Sequence, residues 1–169
     1  MLTYPMKYAK PAALIAVVLI VVAALAYAML SKPAAPTVTF VTLEGQPIQL
    51  DSLRGKVVLV NFWATSCPGC IKEMPGMVET YNQYKAKGFE IIAVAMSYDP
   101  PSHVVNFTQT RQLPFPVALD VKGDLALAFG DVKLTPTSFI VGKTGQILEQ
   151  KIGELDFVKL RKLLDQELS

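Results

Sequence analysis

Val57-Val58-Leu59-Val60-Asn61-Phe62-Trp63 runs directly into Ala64-Thr65-Ser66-Cys67-Pro68-Gly69-Cys70, and Ile71-Lys72-Glu73-Met74-Pro75 follows without a break. The first seven residues are almost all apolar and rich in β-branched side chains, which predicts a strand buried on both faces of a sheet. From about Pro68 to Lys87 the period changes. Met74, Met77, Val78, Tyr81 and Tyr84 recur at three- and four-residue spacings, the pattern of a helix packed along one side. Pro75 falls inside that helix and predicts a kink, and Gly88 predicts its end. Cys67 and Cys70, the only cysteines, stand at the junction between strand and helix.

Working outward, Val38, Phe40, Ile48 and Leu50 bracket Leu43-Glu44-Gly45-Gln46-Pro47, which predicts a small hairpin. Asp51 to Lys56 is a polar turn. Phe89 to Met96 reads as a second buried strand, Pro100 to Gln112 as a helix with Ser102 as its N-cap, and Val117-Ala118-Leu119 as a short strand. A short helix over Asp124 to Phe129 precedes a hairpin. Its arms are Thr137 to Val141 and Gln146 to Glu149, joined through Gly142-Lys143-Thr144-Gly145. Glu154 to Leu168 closes the chain as an amphipathic helix. Strands alternating with helices, then a hairpin and a helix, predict an α/β class. Its central mixed sheet is flanked by helices, and only the second half of the sheet is antiparallel.

Composition is uneven along the 169 residues. Ala12 to Leu30 is a 19-residue run without a charge, and as a helix it nearly spans the roughly 30 Å hydrocarbon layer of a membrane. Lys7, Lys10 and Lys32 flank it, and all 14 acidic residues come after it. Residues 33–169 therefore carry 13 basic and 14 acidic side chains. The isoelectric point near 8.5 belongs to the flanks, which argues against a nucleic-acid partner. With two lysines before the run and one after it, the positive-inside bias leaves residues 1–11 cytoplasmic, 12–30 as a single-pass anchor in the cell (inner) membrane and 31–36 as a stiff linker. Residues 37–169 form the folded domain on the periplasmic, oxidising side. The alternative is a cleaved secretory signal ending near Ala26-Tyr27-Ala28. Both export the domain.

The cysteine pair carries the chemistry. At the first turn of a helix, unpaired N–H groups and the positive end of the dipole favour a thiolate. A spacing of three puts both sulfurs on one face, close enough to join and part. A disulfide closing so short a loop adds little stability, so a structural staple is a poor explanation. A zinc site would need two more ligands, and the chain offers one histidine, His103, and no further cysteine. Haem attachment would need a histidine where Ile71 stands. Two inert buried cysteines remain the bland alternative to a redox pair. No cofactor or metal is called for.

Phe62 to Pro75, with its Cys67-Pro68-Gly69-Cys70, resembles the active site of the thioredoxin superfamily. It is similar in particular to the TlpA/ResA/CcmG-like group of membrane-anchored, exported thioredoxins. Leu134-Thr135-Pro136-Thr137 resembles the cis-proline loop of that group, and the segment from about Pro100 to Leu119 its central helix–strand insertion. The resemblance covers about residues 36–169. It implies a thioredoxin-like fold with an N-terminal hairpin, a Cys67–Cys70 disulfide in the oxidised state, Cys67 as attacking nucleophile and Cys70 as resolving cysteine. It implies a cis Pro136 beside the sulfurs, with Trp63, Pro68, Gly69 and Thr135 at the substrate. It also points to Glu73, one helical turn past Cys70, as the proton acceptor for Cys70, since thioredoxin's buried acid six residues before the first cysteine is here Asn61. Burial would raise the pKa of Glu73; the alternative is a solvated first-turn glutamate. The alternative for Pro136 is an ordinary trans proline.

The implied activity is thiol–disulfide exchange on exported proteins, most simply as a reductase recharged by a membrane thiol–disulfide donor. Apocytochrome c is a substrate suggested by the family alone. Two departures bear on this. Ser66 stands where thioredoxin has tryptophan, and the dipeptide is Pro-Gly rather than Gly-Pro, so the nucleophile's surroundings differ. A disulfide-donating oxidase is the enzymatic rival. A copper chaperone on the same fold is the other, though its usual wider cysteine spacing and nearby histidine are lacking here. Ala64 and Val60 occupy the positions where a peroxiredoxin would need threonine and proline.

Overall fold

The computed structural model describes residues 9–30 and 32–169. Two compact units divide at Lys32 and Pro33. The first holds helix α1, Ala9–Leu30. Side chains of α1 are described only at 15–23, 25 and 26, and among the residues so described no helix is long and apolar enough to cross a membrane. Lys7 and most of the expected cytoplasmic segment lie outside the described residues.

The second unit is built on the strand predicted first. Strand β3, Val57–Trp63, is buried along its whole length. It lies at the centre of a five-stranded sheet whose other members are β4 (Phe89–Ala95), β5 (Val117–Leu119), β6 (Thr137–Val141) and β7 (Ile147–Ile152), in the order β5-β4-β3-β6-β7. β3, β4 and β5 run parallel, whereas β6 and β7 are antiparallel. The N-terminal hairpin pairs β1 (Thr39–Val41) with β2 (Pro47–Gln49) and hangs on the edge at β5, where Leu43 N–H donates to Val117 O at 2.9 Å.

Alternation along β3 divides the core in two. Val57, Leu59 and Trp63 face a layer containing helices α2 (Pro68–Tyr84), α3 (Pro101–Arg111) and α5 (Phe157–Glu167), while Val58, Val60 and Phe62 face the hairpin and helix α4 (Asp124–Ala128). On the second face Phe62 packs edge-on to Phe129 and Phe139, at ring-centroid separations of 5.4 and 6.1 Å. Each such ring contributes about 1.5–3 kcal/mol by burial. Asn61 is the one polar interruption of β3. By the same alternation it belongs to the α2 side.

Several boundaries differ from expectation for local reasons. The α-helix expected to reach Lys87 ends at Tyr84, and a 3-10 turn over Lys85–Lys87 tightens the chain into Gly88, whose φ of 98° suits glycine. Pro75 lies inside α2, where the sequence places it. α3 starts at Pro101, with Pro100 rather than Ser102 at its N-cap, because proline needs no N–H at the first helical position. The final helix begins three residues late. Asp156 caps it by accepting from Val158 and Lys159 N–H at 3.0 and 3.1 Å, which leaves Glu154 and Leu155 outside the helix. Part of the expected linker is folded: Pro33 O accepts from Ile147 N–H at 2.8 Å and Ala35 N–H donates to Gly145 O at 2.9 Å. Gly76 is required by packing, since a Cβ there would run into the Phe157 ring of α5.

Candidate active site

β3 delivers the chain to the C-terminal edge of the parallel half of the sheet, and the turn that follows is short. Cys67 N–H donates to Ala64 O at 3.2 Å, and Cys67 becomes the N-cap of α2 with extended backbone. Pro68 occupies the first helical position, its φ already suited to a helix. The two sulfurs are joined in a disulfide, and Cys70 N–H points at Cys67 Sγ from 3.2 Å. Cys67 is half-buried and Cys70 fully buried. An incoming reagent therefore reaches the first sulfur and not the second. After reduction, the same N–H and the helix terminus would support a thiolate on Cys67.

Glu73 lies one turn beyond Cys70 and is 3% exposed. Its Oε1 accepts from Asn61 Nδ2 at 2.9 Å and its Oε2 from Leu155 N–H at 3.0 Å. Asn61 Nδ2 also donates to Ser138 Oγ on β6 at 2.9 Å. Burial pushes the Glu73 pKa up; the Leu155 and Asn61 donors pull it back, and the charge of Glu154 adds to the rise. The result is a buried carboxylate with an increased tendency to take a proton, one helical turn beyond the buried Cys70. Asn61, dismissed as unable to replace an acid, turns out to hold the acid's oxygen. The single polar residue in the otherwise apolar run of β3 was the signal for it. Nothing local in the sequence pointed to Ser138 or to Leu155.

The Thr135–Pro136 peptide is cis, and Pro136 is buried against the dithiol turn: its Cδ lies 3.6 Å from the place a Cβ would take on Gly69. Pro136 O accepts from Gly153 N–H at 2.8 Å. Thr135 is half-buried, and its Oγ1 shares a hydrogen bond with the exposed Tyr98 hydroxyl at 3.2 Å. Pro68 is exposed and Gly69 half-buried, both at the surface a substrate would meet. Trp63 is not. Its side chain is fully buried, with its ring 5.2 Å from that of Phe107, so the expectation of direct substrate contact is corrected to support from beneath.

Asp99 was missed. It is 4% exposed and its two oxygens accept from Thr65 N–H and Thr65 Oγ1, both at 2.6 Å, fastening the loop two residues before Cys67 to the connection between β4 and α3. His103 is exposed on α3 and lines a cavity of about 430 Å³ together with Thr65 and Arg111.

Comparison with known proteins agrees with this geometry. The Redoxin family matches residues 30–164. The chain is 41% identical over 130 residues to the thiol-disulfide oxidoreductase ResA of Bacillus thuringiensis subsp. konkukian, covering 77% of this chain and 74% of that protein. It is 46% identical over 120 residues to ResA of Bacillus anthracis, covering 71% and 68%. Among solved structures it is similar to a thiol:disulfide interchange protein of the thioredoxin family from Chlorobium tepidum, with a TM-score of 0.75, 28% identity and coverage of 82% and 98%. The chain thus belongs to the Redoxin family, and it is a thioredoxin-like thiol–disulfide oxidoreductase with a Cys67–Cys70 pair.

Proposed function

We propose that the protein is a membrane-anchored reductase of disulfides in exported proteins, with Cys67 as nucleophile, Cys70 as resolving thiol and Glu73 as proton acceptor. The observation that carries the reading is the pairing of a half-buried Cys67 with a fully buried Cys70 one turn before a buried carboxylate. Cys67 thiolate attacks one sulfur of a substrate disulfide; that bond breaks, a mixed disulfide forms, and the other substrate sulfur leaves as a thiolate. Cys70 passes its proton to Glu73, attacks Cys67 Sγ and expels the second substrate thiolate. Two electrons have moved to the substrate, which takes up two protons, and the Cys67–Cys70 disulfide awaits an external dithiol donor in the membrane. Pro136 offers no N–H toward the sulfurs, and Thr135 is available to pair with an extended substrate. Pro68 and Gly69 form the surface against which that strand would lie.

The anchor is α1. Its 22 residues measure about 33 Å as a helix, and the support for the anchor comes from the sequence: the uncharged run 12–30 lies within it, and Lys7 and Lys10, which precede that run, favour a cytoplasmic N-terminus. Residues 33–169 would then work on the periplasmic side, where apocytochrome c is one candidate substrate.

The test is capture. Cys70→Ala leaves Cys67 without a resolving thiol, so exported substrates accumulate as mixed disulfides that a reducing agent releases. Absence of trapped species overturns the order of attack. Titration of the couple against glutathione checks direction: a potential close to those of strong oxidants, near −120 mV, would make the protein an oxidase instead.

A further inference from the structure

The connection from β7 to α5 touches the dithiol site three times in three residues. Gly153 N–H donates to Pro136 O, Leu155 N–H donates to Glu73, and between them Glu154 lays its side chain over the turn itself. Glu154 Cγ and Oε1 lie 3.5 Å from the place a Cβ would take on Gly69, the residue just before Cys70. Its Oε2 accepts from Lys72 Nζ at 2.8 Å. One anion and one cation therefore sit together at the rim of the CxxC turn. Their side chains are 73% (Lys72) and 45% (Glu154) exposed, and a pair so open to solvent contributes little to stability. Its position is the informative part.

A negative charge beside a thiol disfavours the thiolate and a positive one favours it. The disulfide carries no charge on sulfur, so a charge at the turn acts on the reduced state alone and shifts the couple. We propose that Lys72 and Glu154 are positioning residues that set the acidity of Cys67 and the potential of the Cys67–Cys70 couple, Glu154 opposing the thiolate and Lys72 supporting it. This rests on the reading of the pair as an exchanging dithiol. The same carboxylate also adds to the rise in the Glu73 pKa, so one exposed acid bears on both proton-handling groups of the site.

The two partners pull in opposite directions, and that separates tuning from support. In the full-length protein in detergent, Glu154→Gln removes the anion and leaves Lys72 unneutralised. Both changes favour the thiolate. The pH midpoint of Cys67 alkylation falls, and the glutathione equilibrium moves about threefold toward the reduced protein, about 14 mV at 29.6 mV per tenfold. Lys72→Met leaves Glu154 unopposed and shifts both readouts the other way. The double variant returns near wild type, and added salt shrinks every difference. A structural role for the ion pair would make the two single variants alike. Shifts of the same sign, or none while the wild type titrates normally, overturn the inference. A wild type that does not exchange with glutathione at all overturns the dithiol reading and this inference with it.

Discussion

Two buried carboxylates flank the Cys67–Cys70 turn, and their partners set them apart. Asp99 spends both oxygens on one residue, Thr65, through its N–H and its hydroxyl. Glu73 divides its oxygens between two separate elements, the Asn61 side chain on β3 and the Leu155 N–H beyond β7. A third buried acid, Asp120, behaves like the first, accepting from Leu125 and Ala126 N–H at the start of α4 at 3.0 and 2.8 Å. Asp99 and Asp120 are tied to the segments they shape. Glu73 is suspended on the working helix between distant donors, with burial winning over those donors in setting its pKa. Burial alone does not mark a proton carrier. What sets Glu73 apart, and supports the proposed role as proton acceptor, is its position one turn from the buried Cys70 together with its raised pKa.

The largest effect is expected at Asp99. Asp99→Ala leaves the Thr65 N–H and hydroxyl without their acceptor, and hydrogen bonds to a charged group contribute about 1.5–3 kcal/mol each. Urea unfolding should show a loss of roughly 3 kcal/mol, with slower thiol exchange because the loop leading to Cys67 is released. A variant of wild-type stability would refute the assignment of Asp99 to architecture. Asp120→Ala comes next. It uncaps α4 far along the chain from the cysteines and should cost about 1–2 kcal/mol, measured the same way, while the glutathione exchange rate per folded molecule stays as it was. A changed rate would mean that burial of acids around this sheet is coupled to the site more widely than the contacts indicate.

The same contrast explains what could be read from the sequence. The β3-to-α2 junction was legible because its signals are local: a run of β-branched residues, then a change of period, then two cysteines three apart. Glu73 stands one turn from Cys70 on a helix whose phase was already known, but it was the family resemblance, not a local signal, that pointed to it. The partners were not legible. Thr65 and Asp99 are 34 residues apart, and Glu73 and Leu155 82 apart; such pairings depend on β4 lying beside β3 and on β7 being added beyond β6, which no local period encodes. Trp63 was misjudged because a residue near the cysteines in sequence sits, by strand alternation, under the site. Glu154 was assigned to the last helix because charge pattern alone does not reveal that Asp156 would take the cap. Residues 33–36 read as a linker by their prolines, yet the backbone groups of Pro33 and Ala35 were free to pair with the β6–β7 hairpin.

The smallest effect on stability, and the most diagnostic, belongs to Glu73. Its folded-state pKa lies above the ordinary 4.5, so the folded protein takes up this proton more readily than the unfolded chain. The contribution of this group to stability is then fully present below that ordinary value. It is lost as the pH rises through the raised folded value, because the charged form must remain buried. Glu73→Gln carries no such charge. The stability difference between wild type and Glu73→Gln should therefore turn progressively against the wild type between those two pKa values and level off above them, read by urea unfolding across a pH series. Asn61→Ala moves the window. Without its amide, Glu73 Oε1 loses a donor that favours the charged form, so the pKa rises further and the decline extends to higher pH. In thiol exchange the order is kept: Glu73→Gln flattens the part of the pH profile that depends on Cys70 losing its proton, and Asn61→Ala displaces it upward. If Glu73→Gln leaves both profiles unchanged, Glu73 belongs with Asp99 and Asp120 after all, and the proton of Cys70 must leave by another route.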